Sequence, residues 1–237
     1  MDPLALSRQF RLKLDRTETF RREDLTVSPS NAEAVKAVDS WPGWHGGALA
    51  LIGPEGSGKS HLAATWAAAA GAAVIPARGK LDLGALRGRP VLYEDADRDR
   101  TRRDEILFHL FNMAAHADAG GGLLLTGRSP PSGWSASLPD LRSRLNAVTV
   151  AQLEAPDDAI LEAMLRKFFR ERNIRPTEDV FPYLLRRIER SGPKALAVVQ
   201  RLDEAADAEG RAVSRALARQ ILETDPQTLS LFDEEAG

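Results

Sequence analysis

Short apolar runs alternate with amphipathic segments along most of the chain. The runs are bounded by polar or glycine-rich stretches, which is typical of buried strands. Apolar positions between them recur at helical spacing, as from Lys59 to about Ala70 and from Asp104 to Ala117. Strands are predicted at Leu49 to Ile52, Ala72 to Ile75, Val91 to Tyr93, Gly122 to Thr126 and Val148 to Leu153. This alternation predicts an α/β fold with a parallel, doubly wound sheet between two layers of helices.

The pattern changes at Asp157, after which only helical periodicity is found. One amphipathic helix starts there, and three more are predicted over about 178–190, 193–208 and 214–223. Near the other end, Ser30 and Glu33 fit a capping box for a helix that runs to about Trp41. We therefore predict an N-terminal segment (1–24), an αβα domain (25–153), a small helical lid domain (154–223) and a C-terminal tail (224–237).

The loop after the first predicted strand carries the clearest chemistry. It is Gly53-Pro54-Glu55-Gly56-Ser57-Gly58-Lys59-Ser60, followed by His61, and it fits G-x-x-x-x-G-K-[ST] at every fixed position. The backbone N–H groups of such a loop and the N-terminus of the following helix together bind phosphate. Lys59 would reach the β- and γ-phosphates, and the Ser60 hydroxyl would bind Mg²⁺. The sequence predicts a site for ATP or ADP with Mg²⁺.

Two carboxylates follow the third predicted strand. Glu94 and Asp95 would lie at the carboxyl edge of a parallel sheet, where one acid can hold Mg²⁺ and the other can orient water. The alternative is a solvated acidic turn, because Asp97 and Asp99 continue the run. Thr126 ends another strand and would lie near the γ-phosphate.

Other candidate contacts lie outside these strands. Leu25 and Val27 precede the first helix and could receive an adenine ring or simply pack. Arg144 follows Pro139 and could reach a nucleotide on a neighbouring subunit, or be an ordinary solvated arginine. In the lid, Arg190 and Lys194 are candidates for phosphate contact or for plain solvation.

Composition narrows the function classes. The net charge of -2 argues against a dedicated nucleic-acid-binding domain. The absence of cysteine excludes a disulfide framework and thiol catalysis. The chain has no apolar run long enough to span a membrane, and its N-terminus lacks the apolar core of a secretory signal. We expect a cytoplasmic protein without a membrane partner and without strong direct DNA binding.

Two short peptides near the chain ends have the pattern of docking motifs. One is Gln9 to Leu14, in which Phe10, Leu12 and Leu14 alternate with polar residues. The other is Gln227 to Phe232, which includes Leu229 and Leu231. Extended peptides of this kind bind by inserting alternate side chains into pockets on a partner. An edge strand or an incidental pattern is the alternative for the first of them.

With these residues in view, the chain resembles the AAA+ domain of DnaA-type initiators, and most of all the Hda/HdaA family of DnaA-related regulatory inactivators. The resemblance rests on LTVSPSN, GPEGSGKSHL, VLYED, LLLTG followed by RSPP, LPDLRSRL and the helical lid. It covers about Gln9 to Leu222. The initiators carry a further helix-turn-helix domain, for which the sequence offers no segment after the lid. This favours the inactivators over the initiators.

The resemblance implies specific roles. Lys59 and Ser60 match the Walker A pair, Glu94 and Asp95 the Walker B acids, and Arg144 the arginine finger that acts in trans. Such a protein binds the DNA polymerase III sliding clamp (β) on DNA and stimulates hydrolysis of DnaA-bound ATP. The Gln9 peptide has the family position for clamp binding, and the Gln227 peptide is a second candidate. Whether the chain forms a homo-oligomer stays open.

Three positions depart from the family pattern. Glu94 stands where initiators usually have Asp, Arg128 where Asp is frequent, and Lys194 where an arginine of the lid is usual. We therefore expect a nucleotide-bound platform with little hydrolysis of its own. The alternatives are an autonomous ATPase of the helicase-loading or remodelling type, and a small-molecule kinase, for which we see no acceptor-binding insertion.

Overall fold

In the computed structural model, residues 21–75, 82–98, 103–115 and 121–223 are described. They form five strands and eight α-helices, joined by short 3-10 turns. The strands are β1 (Ala48–Ile52), β2 (Ala73–Val74), β3 (Pro90–Tyr93), β4 (Gly122–Gly127) and β5 (Thr149–Gln152). The helices are α1 (Ala32–Asp39), α2 (Lys59–Ala70), α3 (Arg103–Ala115), α4 (Pro139–Ala147), α5 (Asp158–Glu171), α6 (Val180–Leu185), α7 (Gly192–Glu209) and α8 (Arg215–Glu223).

The five strands form one parallel sheet in the order β2-β3-β4-β1-β5. In the registers, Ile52 at the end of β1 lies beside Gly127 of β4 and Gln152 of β5, and Tyr93 of β3 lies beside Leu125 of β4. Because all strands run in the same direction, their carboxyl ends meet at one edge of the sheet. The loops after β1, β3 and β4 therefore come together.

The central strands are buried on both faces, as expected of a parallel sheet covered by helices. Alternate residues of β1 face opposite layers, because side chains along a strand point to opposite sides. Leu49 and Leu51 pack in a cluster with α1 and α2, while Ala48 and Ala50 pack in a cluster with α3 and α4. The predicted three-layer αβα core is confirmed.

The helices α5 to α8 enclose an apolar cluster of their own. It includes Leu161, Leu165 and Phe169 of α5, which lie on one side of that helix at i, i+4 and i+8 and are fully buried. Asp157 caps α5, its carboxylate accepting a hydrogen bond from the Ile160 N–H at 3.0 Å. The small helical lid predicted after the sheet is thus observed.

Three local details differ from the prediction. The helix predicted over about 178–190 is only the short α6, Val180–Leu185. The first helix begins at Ala32 after Asn31, and no side chain caps it, so the predicted capping box of Ser30 is wrong. The Ser30 hydroxyl instead bonds to Ser28 and to the Asp157 carboxylate. Helix α4 had not been predicted from LPDLRSRL, because only Leu141 and Leu145 of its side chains are buried.

Of the helices in the described ranges, none combines the length and apolarity needed to cross a bilayer.

Candidate functional site

The loop between β1 and α2 wraps around the N-terminus of α2. Helix α2 begins at Lys59, directly after Gly58, whose φ of 95° lies in the left-handed region that favours glycine. A Cβ built on Gly58 would meet no atom within 4 Å, so the space in front of this helix end is open. Free backbone N–H groups of the first turn are natural anion ligands. The predicted loop, Gly53 to Ser60, is therefore folded as a phosphate cradle would require.

Lys59 is folded back into this loop and is only 8% exposed. Its Nζ donates hydrogen bonds to the carbonyl oxygens of Gly53 at 2.8 Å and Pro54 at 2.7 Å. Burial lowers the pKa of Lys59 below its usual 10.5, and Asp95 opposes this shift. Within the described residues Lys59 forms no ion pair. A buried ammonium without an anionic partner is unfavourable, and a bound phosphate would provide that partner.

Two serines of the loop have different surroundings. The Ser57 hydroxyl is buried and has no hydrogen-bond partner among the described residues. Ser60, in the first turn of α2, is exposed. A buried hydroxyl without a partner costs free energy unless a ligand satisfies it. The unpartnered Ser57 hydroxyl thus fits a loop that receives a phosphate group, and cation binding by the exposed Ser60 stays a prediction.

The acidic turn after β3 is tied to β4. Asp95 has a φ of 47°, and its N–H donates to the Thr126 Oγ1 at 2.9 Å. Thr126 is 2% exposed, and its carbonyl also accepts from the Ala96 N–H at 2.8 Å. Thr126 therefore holds the turn in place, rather than presenting its hydroxyl to the open site as its position at the strand end predicted.

The carboxylates of this turn act unequally on Lys59. Asp95 and Asp97 both raise the pKa of Lys59 electrostatically. Asp95 is exposed, and its Oδ2 lies 3.8 Å from Arg98 Nη1. Asp95, Asp97 and Glu55 are thus near enough to the loop lysine for their charges to act on it. In the sequence Asp97 only continues an acidic run, whereas in the structure it is half-buried in the turn after β3.

Arg128, at the carboxyl end of β4, adds a second cation near the loop. Its Nη2 lies 2.6 Å from the Oε2 of Glu55 in the phosphate loop. Its backbone N–H donates to the Asp97 Oδ2 at 2.8 Å. Arg128 also lowers the pKa of Lys59 electrostatically. The sequence marked Arg128 only as a departure from a pattern, and the structure makes it a neighbour of the predicted phosphate site.

The lid touches the phosphate loop at the start of α7. The Gly192 N–H donates to the Gly56 carbonyl at 3.2 Å. Gly56 has a φ of 75°, and a Cβ there would lie 2.8 Å from both the Pro193 Cδ and the Ser191 Cβ. Only glycine permits this contact between the two domains.

The predicted lid cations are engaged elsewhere in the described structure. Arg190 Nη2 lies 2.6 Å from the Asp158 Oδ1. Lys194 Nζ lies 3.8 Å from the Glu189 Oε2. The backbone N–H of Lys194, in the first turn of α7, donates to the Ser191 Oγ at 3.3 Å. Both are exposed and paired with carboxylates of the lid.

The segment before α1, residues 21–31, packs beside α1 and α2. Leu25 packs against the cluster of α1 and α2, so the packing alternative holds for it. Val27 is 55% exposed, a surface on which a flat apolar ring could rest. The His61 Nε2 lies 3.0 Å from the Arg21 carbonyl oxygen, which joins α2 to this segment.

Arg144 lies on a different surface. It is in the last turn of α4, which packs with α3 on the face of the sheet opposite α2. Its Nη2 donates to the Asn112 Oδ1 at 2.8 Å, its Nε lies 3.4 Å from the Asp140 Oδ2, and its Cζ lies 5.9 Å from the centre of the Phe108 ring. The side chain is 29% exposed. Arg144 is therefore held in one direction while its charge stays accessible to a partner.

The two peptides with docking patterns lie outside the described residues. This applies to Gln9, Phe10, Leu12 and Leu14, and equally to Gln227, Leu229, Leu231 and Phe232. Of the described residues, no three His, Cys, Asp or Glu side chains form a metal-binding group. A magnesium ion in a phosphate loop takes most of its ligands from phosphate and water, and Ser60 and Glu94 remain the predicted protein ligands.

No family model matches the chain. Solved structures do. Domain III of the replication initiation protein DnaA from Thermotoga maritima matches with a TM-score of 0.70 at 20% identity, over 86% of this chain and 95% of that chain. AMPPCP-bound DnaA from Aquifex aeolicus matches with a TM-score of 0.58 at 17% identity, over 81% and 68%.

A mutant of RuvB from Thermotoga maritima matches with a TM-score of 0.61 at 14% identity, over 82% of this chain and 68% of that chain. At these identities the likeness concerns the fold. Each match extends over more of this chain than the sheet and its helices occupy, so the lid takes part in it. The chain has the AAA+ fold: a P-loop NTPase core of αβα layers followed by a helical lid, as in DnaA domain III and RuvB.

Proposed function

We propose that this protein is a nucleotide-bound AAA+ regulator that restrains replication initiation by stimulating hydrolysis of DnaA-bound ATP, as a member of the Hda-type regulatory inactivators. The proposal rests above all on Arg144, a directed arginine on the face of the sheet opposite the P-loop helix. The likeness of the fold to DnaA domain III supports it. AAA+ domains of like fold can pair so that one supplies an arginine to the nucleotide of the other.

The nucleotide, ATP or ADP with Mg²⁺, would bind at the loop before α2. Backbone N–H groups of Gly56 to Ser60 would hold the phosphates, Lys59 would exchange its carbonyl partners for phosphate oxygens, and Ser60 with Glu94 would bind the cation. Bound nucleotide would supply the negative charge that the buried Lys59 ammonium lacks. Its main role would be to fix the lid against the core through the Gly56 loop, which contacts Gly192.

Arg144 would act on the partner's nucleotide. An arginine finger stabilises the charge that develops on the transferred phosphoryl group, and it must arrive already oriented. The hydrogen bond to Asn112 and the contact with the Phe108 ring restrict the guanidinium of Arg144 before a partner binds. Its remaining N–H groups would then bind the γ-phosphate of ATP on DnaA.

Clamp binding would bring this action to replicated DNA. In this proposal the cytoplasmic protein binds the DNA polymerase III β clamp through Gln9 first and Gln227 second. Tethering raises the effective concentration of one partner near another without further contacts. It would also account for a protein of net charge -2 that works on DNA without binding it strongly.

The test follows labelled ATP bound to purified DnaA, with this protein added in the presence and absence of clamp loaded on DNA. Hydrolysis should rise only with the clamp, and Arg144→Ala should reduce the stimulation by about a hundredfold or more. Arg142→Ala is the matched control, since Arg142 is an exposed arginine of the same helix, bonded to the Ala136 carbonyl at 3.0 Å. Equal loss in both variants would contradict the role of Arg144.

A second candidate is an autonomous AAA+ ATPase of helicase-loading or remodelling type. The carboxylates of Asp95 and Asp97, which act on the loop lysine, favour it because they could orient water or metal at a bound ATP. The purified protein would then turn over ATP without DnaA and leave DnaA-bound ATP untouched. That pair of results would replace the regulatory proposal.

A further inference from the structure

The ion pair of Arg128 and Glu55 joins the end of β4 to the phosphate loop. The Arg128 Nη2 and the Glu55 Oε2 lie 2.6 Å apart, and the two side chains are 43% and 67% exposed. Exposed ion pairs contribute little to stability, because water screens the charges and the side chains lose freedom. This pair can therefore exchange partners at small cost when a stronger anion arrives.

The backbone of Arg128, in contrast, is anchored on both sides. The preceding carbonyl, that of Gly127, accepts a hydrogen bond from the Gly53 N–H at 3.2 Å. The Arg128 N–H donates to the Asp97 Oδ2 at 2.8 Å. The backbone of Arg128 is thus fixed beside Gly53, the first residue of the loop. The position of its guanidinium can therefore change only through rotamers of the side chain.

The charge of Arg128 is felt inside the loop. Its positive charge lowers the pKa of Lys59, whereas that of Glu55 raises it. Arg128 and Glu55 are therefore both neighbours of the lysine that serves the β- and γ-phosphates in loops of this kind. A triphosphate at the loop would place its terminal phosphate close to both side chains.

We infer that Arg128 is a second phosphate-binding cation of the P-loop site, which Glu55 holds back until the terminal phosphate of a nucleoside triphosphate displaces it. The inference rests on the proposed nucleotide binding and names the ligand class that the site distinguishes. A nucleoside diphosphate leaves the pair of Arg128 and Glu55 intact. A triphosphate exchanges it for a guanidinium–phosphate contact, which is bidentate and strong.

This exchange gives each member of the pair an opposite effect on selectivity. Arg128 favours the triphosphate by binding its terminal phosphate. Glu55 disfavours it, both by occupying Arg128 and by repelling the additional negative charge. The ratio of ATP to ADP affinity is therefore set by two side chains outside the fixed positions of the loop motif.

The test measures the binding of ATP and of ADP by titration calorimetry in EDTA, so that no metal contributes. Arg128→Gln should lower the ratio of ATP to ADP affinity by about tenfold, in line with loss of one charge-assisted contact. Glu55→Gln should raise this ratio severalfold. In the Arg128→Gln background, Glu55→Gln should raise it clearly less, because only the direct charge repulsion by Glu55 is then left to remove.

Arg211→Gln is the matched control. Arg211 also forms an exposed ion pair of 2.6 Å, with Glu209 at the far end of α7, about 27 Å along that helix from the loop. Its ratio should equal that of the wild type. Unfolding midpoints of all variants without nucleotide check that each is folded.

The outcomes separate this inference from the proposal on which it rests. If the wild type binds neither nucleotide, both are overturned. If the wild type binds both but Arg128→Gln leaves the affinity ratio unchanged, nucleotide binding stands and only the role of Arg128 is refuted. The same holds if Glu55→Gln raises the ratio equally with and without Arg128, because simple charge repulsion would then explain it.

Discussion

The Gly192 N–H donates to the carbonyl of Gly56 across 3.2 Å, so that the lid and the phosphate loop share a backbone hydrogen bond. Gly56 accepts it with a φ of 75°, and a Cβ there would lie 2.9 Å from the Gly192 nitrogen. One residue therefore meets two requirements at once: the left-handed turn of the loop and the close approach of α7. The position of the lid is therefore coupled directly to the conformation of the phosphate loop.

Gly56→Ala should destabilise the protein more than its backbone angle alone explains. An alanine at positive φ costs about 1 kcal/mol, and the clash with α7 should bring the loss to about 3 kcal/mol. Gly88→Ala is the control, since Gly88 has a φ of 71° and open space where its Cβ would be. Urea unfolding gives the free energy of unfolding of both variants. Equal decreases would contradict the prediction, because they would show that α7 moves away from the added Cβ at no cost.

Asp157 should make the junction of core and lid sensitive to acid. Burial by itself would raise the pKa of Asp157, but hydrogen bonds from Ser28, Ser30 and the Ile160 N–H outweigh it and lower the pKa below 3.8. Because the folded state holds the proton less readily than the unfolded chain, the ionised carboxylate stabilises the fold above pH 3.8. This contribution is lost as the pH falls through the lowered pKa.

Two variants separate the charge of Asp157 from its capping role. Asp157→Ala removes both and should cost about 1 kcal/mol or slightly more at pH 7. Asp157→Asn keeps an acceptor for the Ile160 N–H, so it should cost less. The deficit of the Asn variant should shrink progressively as the pH falls below 3.8 towards the lowered pKa of Asp157, which urea unfolding from pH 7 to pH 3 would measure. A deficit that is independent of pH would contradict this account.

Lys59 should produce the opposite dependence at high pH. Its pKa in the folded protein is lowered from 10.5, with burial as the main cause, so the unfolded chain binds the proton more readily. Stability therefore rises with pH as the pH passes from the lowered pKa towards 10.5. Lys59→Met lacks this titration, so the wild type should gain stability relative to it over that range in the absence of nucleotide.

Nucleotide gives the same variant a second measurement. Mg²⁺–ATP should raise the unfolding midpoint of the wild type, because a ligand that binds only the folded state stabilises it. It should leave that of Lys59→Met unchanged. Lys194→Met tests the exposed lysine of the lid in parallel and should respond to nucleotide nearly as the wild type does. A strong response in Lys59→Met would remove Lys59 from the site.

The sequence predicted the core well because burial on both faces leaves continuous apolar runs in parallel strands. The runs at Leu49 to Ile52 and at Val91 to Tyr93 became β1 and β3 with shifts of one residue at their starts. The strand order β2-β3-β4-β1-β5 could not be predicted from the hydrophobic pattern, because strand pairing depends on how distant segments pack. Helix α4 was missed since few of its side chains are buried.

The site was predicted only as far as its motifs are local. The loop motif identified Lys59, but nothing near Arg128 in the chain indicates that it pairs with Glu55. Ser30 illustrates the converse error. The sequence around Ser30 fits a local helix cap, but its hydroxyl forms a hydrogen bond with the carboxylate of Asp157, far along the chain. Side chains that can bond locally or at long range are where sequence patterns are least decisive.

The clamp peptides predicted from the sequence can be ranked by affinity. Gln9→Ala should weaken binding to the β clamp by tenfold or more, about 1.4 kcal/mol, if the N-terminal peptide is the principal contact. Gln227→Ala should have a smaller effect, and the double variant should bind least. Surface-bound clamp and each variant in solution give the affinities. A larger effect of Gln227→Ala would reverse the order, and no effect of either would refute the clamp proposal.

Asn112 should position Arg144 without contacting the nucleotide of DnaA itself. Its Oδ1 accepts from the Arg144 Nη2 at 2.8 Å, while Asp140 is a more distant partner at 3.4 Å. Asn112→Leu keeps the branched shape and the number of heavy atoms of the side chain but removes the acceptor, so the guanidinium loses its orientation. Stimulation of DnaA should fall severalfold, less than with Arg144→Ala, because the charge remains.

Three further measurements distinguish positioning from simple damage to the fold. The affinity of Asn112→Leu for DnaA should stay close to that of the wild type, so that the loss lies in the hydrolysis rate at saturating protein. Asp140→Asn, which removes the charge of the more distant partner, should reduce the rate less. In the Arg144→Ala background, Asn112→Leu should have no additional effect, because two residues that act through one guanidinium are not additive. An independent, additive loss would show that Asn112 supports α3 rather than Arg144.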